Sequence, residues 1–228
     1  MSELSSPTAQ AEWAQARADV YAFLARLFTQ PPTEELLASL AGEGDSDPLT
    51  TIFGPGEGVV LMERALADGI NEALLRMLKL EFDALFLVPG RRYTTPYESV
   101  YRGGRTGEGL VRGEATAAVQ RFYARAGADV SSDFRELPDY IGLELEFMHH
   151  LCAREASAWE RDEADAARQW AAMEQAFLQD HLAQWADDFS ARLAANARSD
   201  FYRGLAELMP VFVHRDLETI EASDVMVT

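Results

Sequence analysis

Apolar residues recur at helical spacing along almost the whole chain, and this periodicity constrains the fold more than any other feature. One stripe runs through Trp13, Val20, Leu24, Leu27 and Phe28 and ends at two prolines. Residues three, four and seven apart share one face of an α-helix, whereas a half-buried strand alternates every second residue. The sequence contains no such alternation of useful length. It therefore predicts an all-α fold.

Start and stop signals divide the periodic sequence into separate helices. Thr33 is a suitable cap for a short second helix, and Gly127 is a suitable stop after a helix over 114–126. The other predicted helical stretches are 59–86 with a break at 68–69, then 138–159, then 166–197 as two helices meeting near Asp180, and a last helix capped by Ser199. Residues 1–228 are thus predicted to form a single-domain helical bundle of about nine or ten helices.

Two stretches rich in glycine and proline interrupt the helical pattern, near 42–58 and 89–113. Both are predicted to be flexible loops. The second is long for a loop inside a compact domain, and loops of that length often have a function.

The composition is that of a globular chain with a strong negative charge. Apolar residues make up 48% and charged residues 25%, and 38 acidic against 20 basic residues give a net charge of -18. This charge opposes phosphate backbones, so no nucleic-acid partner is predicted. A cationic partner is favoured on the same long-range ground, although acidity also serves solubility alone.

The sequence predicts a soluble cytoplasmic protein. The chain has one cysteine, Cys152, which excludes an internal disulfide and fits a reducing compartment. Residues 1–17 lack the basic and apolar regions of a secretory signal. The longest apolar runs fall far short of the roughly 20 residues that a membrane helix needs, so no stable membrane insertion is expected.

Three patterns could form sites of chemistry, and each is explained better by a structural role. Glu146 and His149 have the E-x-x-H spacing of di-iron bundles, but the sequence contains no second such pair. Cys152 lies in an apolar run and is predicted to be a small core residue. The glycines from Gly103 to Gly113 follow no predicted strand and match no phosphate-binding motif. Neither an enzyme nor a bound metal or cofactor is predicted.

Asp139 admits two interpretations. Pro138 suits the first position of a helix, and Asp139 would then complement the helix dipole in the first turn. Alternatively, a carboxylate at an exposed helix start accepts paired hydrogen bonds from an arginine. Such a pair contributes only about 0–1 kcal/mol when exposed, so recognition would also need an apolar groove.

Three motifs in order resemble the TorD/DmsD family of cytoplasmic chaperones for molybdoenzymes. They are Phe82-x-x-Leu85-Phe86, then Pro96-Tyr97-Glu98-Ser99-Val100-Tyr101, then Glu136-x-Pro138-Asp139-Tyr140-Ile141 running into Glu144-Leu145-Glu146-Phe147-Met148. A weaker match is Phe177-Leu178-x-x-His181-Leu182-x-x-Trp185. Together they cover about half of the chain.

The resemblance implies an all-helical chaperone that is not an enzyme. Its partners would be the apo form of a molybdoenzyme catalytic subunit and the twin-arginine signal peptide of that subunit. The family holds this client until its molybdopterin guanine dinucleotide, and sometimes iron–sulfur clusters, are installed, and it thereby delays export. An alternative is a NarJ-like assembly factor for a molybdoenzyme that is not exported. A less favoured one is a metal- or nucleotide-dependent helical enzyme.

The resemblance also assigns peptide-binding positions. They fall on Phe82, Leu85, Phe86, Pro96, Tyr97, Ser99, Asp139 and Tyr140, and Glu136 is added here as a neighbouring acid. The family usually has a histidine at the position of Tyr140. Tyrosine keeps an aromatic face for stacking on arginine but takes no proton near neutral pH. The sequence leaves open a monomer or a domain-swapped dimer.

Overall fold

A computed structural model describes residues 6–42, 47–102, 113–128 and 136–225 of the chain. These residues contain eleven α-helices, and the all-α prediction is confirmed. The helices are α1 (Pro7–Thr29), α2 (Glu34–Ala41), α3 (Pro48–Phe53), α4 (Glu57–Leu66), α5 (Glu72–Phe82), α6 (Glu98–Tyr101), α7 (Glu114–Arg125), α8 (Ile141–Glu160), α9 (Ala164–Asp180), α10 (Ala186–Asn196) and α11 (Asp200–Val225). A π-helical turn, Asp83–Leu87, follows α5, and a 3₁₀ turn, Leu182–Gln184, follows α9. The only β-pairing among the described residues is one isolated bridge.

Short polar side chains set several helix starts, as predicted. The Thr33 hydroxyl accepts a hydrogen bond from the Leu36 amide at 3.3 Å, and Ser199 accepts one from the Tyr202 amide at 3.3 Å. Asn71 caps α5 in the same way. These side chains satisfy amides that have no partner within the helix itself.

The stretch 42–58 differs from the predicted loop where the structure describes it. Asp47 accepts a hydrogen bond from the Thr50 amide at 2.9 Å, and Pro48 occupies the first helical position of α3. Gly54 ends this helix with a φ of 77°. The glycine and proline that suggested a loop are therefore the boundaries of a short helix. Part of the predicted loop 89–113 is α6, and residues 103–112 lie outside the described part of the chain.

The chain divides into two compact units. Unit 1 comprises the described residues of Met1–Ala25, Tyr97–Trp185 and Arg215–Thr228, and unit 2 comprises those of Arg26–Pro96 and Ala186–His214. The expectation of a single domain remains a prediction.

Unit 1 is built on the packing of α8 against α9. The buried face of α8 includes Leu145, Met148 and Leu151, and that of α9 includes Phe177 and Leu178. The predicted junction near Asp180 is confirmed, because α9 ends there and the 3₁₀ turn follows.

Unit 2 contains a close approach between α4 and α11. A β-carbon on Gly204 would lie 2.7 Å from the Gly58 carbonyl oxygen, so a side chain at this position would push the helices apart. In the same unit, Phe53 and Phe212 pack edge to face, with their ring centroids 6.1 Å apart. Among the described residues, no helix is both long and apolar enough to cross a membrane.

Candidate functional site

Two of the sequence motifs meet in unit 1. Tyr97 and Tyr140 form the isolated antiparallel bridge, and their ring centroids lie 5.8 Å apart. The Glu98 amide donates a hydrogen bond to the Asp139 carbonyl oxygen at 2.9 Å. Segments about forty residues apart in sequence are therefore joined by backbone pairing.

Asp139 lies at the centre of this junction and is fully buried. Its Oδ2 atom accepts a hydrogen bond from the Ser99 amide at 3.0 Å, in the first turn of α6. Its Oδ1 atom has no hydrogen-bond partner among the described residues, and neither has the Ser99 hydroxyl. A buried polar atom without a partner is costly, so a free acceptor at this depth is unusual.

The structure differs from both interpretations of Asp139 in one respect. Helix α8 begins at Ile141, and Pro138 and Asp139 form a turn before it. The prediction that Pro138 opens the helix is wrong, and Asp139 is buried rather than exposed. The carboxylate instead accepts a hydrogen bond from the Ser99 amide at the start of α6, forty residues earlier in the sequence.

Neighbouring side chains hold the turn in place. The Tyr97 hydroxyl donates a short hydrogen bond to Glu136, and both residues are half-buried. The Tyr123 hydroxyl donates to the Pro138 carbonyl oxygen at 2.8 Å. Burial, reinforced by nearby carboxylates, raises the pKa of Tyr123 well above its ordinary value, so the hydroxyl keeps its proton.

Further buried charged residues adjoin the junction, and their role is not predicted from the sequence. The carboxylate of Glu98 is buried and contacts Nδ1 of His181 at 3.0 Å and a guanidinium nitrogen of Arg102. Glu144 is also buried and accepts a hydrogen bond from the Trp185 indole at 3.1 Å. Burial, together with the charge of Glu98, raises the pKa of Glu144 well above its ordinary value. The one sequence feature that could have identified these residues is that they fall inside the motifs shared with the TorD/DmsD family.

The remaining predicted positions lie in unit 2. Phe82, Leu85, Phe86 and Pro96 are buried, with Phe86 only 4% exposed. The ring of Phe86 lies 5.2 Å from that of Phe82 and 5.7 Å from that of Phe28. The Leu85 carbonyl oxygen accepts a hydrogen bond from the Thr94 amide at 2.8 Å. The aromatic motif is thus part of the core of this unit.

The alternative sites of chemistry gain no support from the described residues. Burial raises the pKa of the Cys152 thiol well above its ordinary value, so a thiolate is disfavoured. The Nδ1 atom of His149 contacts the Ala18 carbonyl oxygen at 3.0 Å, and Glu146 is exposed. No group of three or more His, Cys, Asp or Glu side chains in the described part of the chain is placed to hold a metal ion. Most of the glycine-rich segment lies outside the described residues.

Comparison with known proteins supports the resemblance predicted from the motifs. The profile of the family described as nitrate reductase delta subunit matches residues 56–191. A chaperone protein TorD from Colwellia psychrerythraea is 26% identical over 96% of this chain and 98% of its own. TorD chaperones from Shewanella pealeana and Vibrio vulnificus are 26% and 27% identical over 91% and 89% of this chain, and over 91% and 93% of their own chains. Because the profile covers more than half of the chain, this protein belongs to the nitrate reductase delta subunit family, to which its TorD-like motifs had pointed.

Proposed function

We propose that this protein is a cytoplasmic chaperone that binds the twin-arginine signal peptide of an apo-molybdoenzyme subunit. It would hold that subunit during cofactor insertion and delay its export. Membership of the family and relatives named as chaperones support the maturation role. The observation that carries the peptide site is the buried Asp139 carboxylate, which has one oxygen without a partner.

The chemistry of the junction fits a cationic peptide. Glu136 offers a half-buried carboxylate that accepts a hydrogen bond from Tyr97. Asp139 offers its Oδ1 atom, which has no partner among the described residues. A guanidinium carries five N–H donors and stacks on aromatic rings, so it matches carboxylates set among tyrosines. Tyr97 and Tyr140 supply those aromatic faces.

Apolar residues after the arginines would need a different surface. The family positions Phe82, Leu85 and Phe86 are buried, so they act in this proposal by shaping unit 2. The ring of Phe86 packs against those of Phe28 and Tyr202. Direct peptide contacts are assigned to the half-buried Glu136 and Tyr97, whereas Asp139 and Tyr140 are buried and would be contacted only once the junction opens around the peptide. Ser99 contributes through its backbone amide and its unpartnered hydroxyl.

Calorimetry with a signal peptide that contains two consecutive arginines tests this site. Asp139→Asn and Tyr97→Ala should each weaken binding, and higher salt should weaken it further if arginine pairing contributes. Glu146→Gln is the matched control, because it removes an exposed carboxylate from α8 outside the junction. Wild-type affinity in both site variants would contradict the assignment.

A client that is not exported is a second candidate, favoured by the description of the matching family as a nitrate reductase subunit. The chaperone would then bind the N-terminal segment of a membrane-associated enzyme. Titration with a peptide in which both arginines are replaced by glutamine separates the two. Equal binding of the two peptides would favour the second candidate.

A further inference from the structure

A groove on unit 2 has an electrostatic character opposite to that of the whole chain. Its volume is about 870 Å³, and its lining includes Ala73, Arg76, Met77 and Leu80 from α5 together with Arg92 and Arg198. Three guanidinium groups therefore surround one groove on a chain whose net charge is -18.

Two of these arginines are not used by the fold. Arg76 and Arg198 are exposed, and neither forms an ion pair with a carboxylate of the described residues. Arg92 is different, because its guanidinium lies 3.5 Å from Glu81. Two arginines that line one groove and form no ion pair there are available to an acidic group of a partner.

The acidic side chain deepest in the groove is already committed. Glu81 is buried and accepts hydrogen bonds from the backbone amides of Arg198 and Ser199, just before α11. It thus fixes the backbone of Arg198, and the residue itself is exposed. Glu72 is the remaining carboxylate of the lining and is exposed.

The lining of the groove also includes exposed apolar side chains. Met77 is 44% exposed and Leu80 is 59% exposed, and they lie three residues apart on α5. Methionine and arginine are enriched at protein interfaces, and methionine adapts to ligands of varied shape. Exposed ion pairs contribute little alone, so these apolar side chains would supply the contact area that selects a peptide.

We propose that this groove binds a peptide segment in which apolar side chains are flanked by carboxylates. The inference rests on the proposed chaperone function, and the segment would belong to the body of the client. A twin-arginine signal peptide has the wrong charge for this groove, since its cationic region would face three guanidinium groups. The two client segments are therefore distinguished by the sign of their charge.

The test uses three synthetic helical peptides of equal length, in which leucines are flanked by glutamate, glutamine or lysine. Each is titrated into the ¹⁵N-labelled protein, and amide resonances are followed. The glutamate peptide should shift the resonances of Ala73, Met77 and Leu80, and the lysine peptide should leave them unchanged. Equal binding of all three peptides, or no binding of the glutamate peptide at millimolar concentration, would overturn the proposal.

A charge-swap variant adds a second requirement. Arg76→Glu with Arg198→Glu should weaken the glutamate peptide roughly tenfold or more and should create binding of the lysine peptide. Arg121→Glu with Arg168→Glu is the control, because it makes the same change of net charge with exposed arginines of unit 1. If the control weakens binding equally, net charge rather than the groove is responsible.

Two further measurements separate the possible failures. Inorganic phosphate that shifts the same resonances as strongly as the peptide would reassign the groove to small anions. The signal peptide should bind the charge-swap variant at least as tightly as wild type. Wild-type protein that binds the signal peptide but not the glutamate peptide would overturn only this inference, whereas wild-type protein that binds the glutamate peptide but not the signal peptide would overturn only the proposed signal-peptide site.

Discussion

Unit 1 contains two clusters of buried charged side chains, and the two differ in the groups that offset the free-energy cost of burying the charges. In the first, Arg17 contacts three carboxylates, Glu155, Glu174 and Asp216, and all four side chains are buried. In the second, Glu98, Asp139 and Glu144 are buried together. Of these three, Glu98 contacts the partly exposed Arg102 and the buried His181.

The difference indicates separate roles. An arginine keeps its charge at any ordinary pH, so the Arg17 cluster has a permanent centre that joins α1, α8, α9 and α11. Within the described residues, the second cluster includes no buried arginine or lysine, and Asp139 Oδ1 has no partner there. We infer that the first cluster stabilises the unit and that the second is arranged to receive charge from a ligand.

The largest expected effect is the loss of the Arg17 charge. Arg17→Met leaves three carboxylates buried around an apolar side chain, and stability should fall by about 3–5 kcal/mol. Arg102→Met is the comparison, and it should cost less, because the Arg102 side chain is 35% exposed and Glu98 keeps its contact with His181. Urea unfolding measures both. Equal losses would contradict the distinction between the clusters.

The pH dependence of stability is the next largest effect. Burial raises the pKa of Glu174 from 4.5 to about 8, so the folded protein retains a proton that the unfolded chain releases. Stability should therefore fall as pH rises through this window, by up to about 1.4 kcal/mol per pH unit. Glu174→Gln should flatten the profile, with Glu155 contributing any remaining slope of the same sign. An unchanged slope would show that Glu174 does not hold the proton.

Asp139→Asn should affect binding more than stability. Asparagine retains an oxygen that can accept the Ser99 amide, so the loss of stability should be about 1 kcal/mol. Without the negative charge, affinity for the signal peptide should fall roughly tenfold, equivalent to about 1.4 kcal/mol. Calorimetry and urea unfolding measure the two effects. A large loss of stability with unchanged affinity would place Asp139 with the Arg17 cluster.

The smallest effect is expected for Tyr97→Phe. The substitution removes the hydrogen bond to Glu136 and retains the ring that packs on Tyr140. The loss of stability should be about 0.5 kcal/mol, at the low end for a hydrogen bond, because both residues are half-buried. A double-mutant cycle with Glu136→Gln checks the pair, since a coupling energy of zero would show that the hydrogen bond contributes nothing.

The sequence predicted best those features whose causes are local. Thr33 and Ser199 cap amides three residues later, and Gly127 ends α7 with a φ of 66°. The recurrence of apolar residues on one helix face likewise needs only neighbouring positions. The helix over Pro48–Phe53 was missed because glycine and proline mark both loops and helix ends.

The parts of the site that escaped prediction depend on distant partners. Asp139 was assigned to the helix after it, but its side chain supports a helix forty residues earlier. Arg17 and Asp216 are 199 residues apart in sequence, and no spacing rule connects them. Motif order identified the residues of the Tyr97 and Asp139 junction, while packing decided which of them are buried.

The π-helical turn after α5 has a consequence for how relatives should be compared with this chain. Such a turn accommodates one residue more than the equivalent α-helical turn. A relative that lacks one residue within 83–87 would continue α5 as a regular helix, and side chains beyond the gap would rotate by about 100° around the axis. An alignment of such a relative should place the single-residue gap here, and its equivalent of Phe86 should be matched by structural position instead of by distance from Phe82.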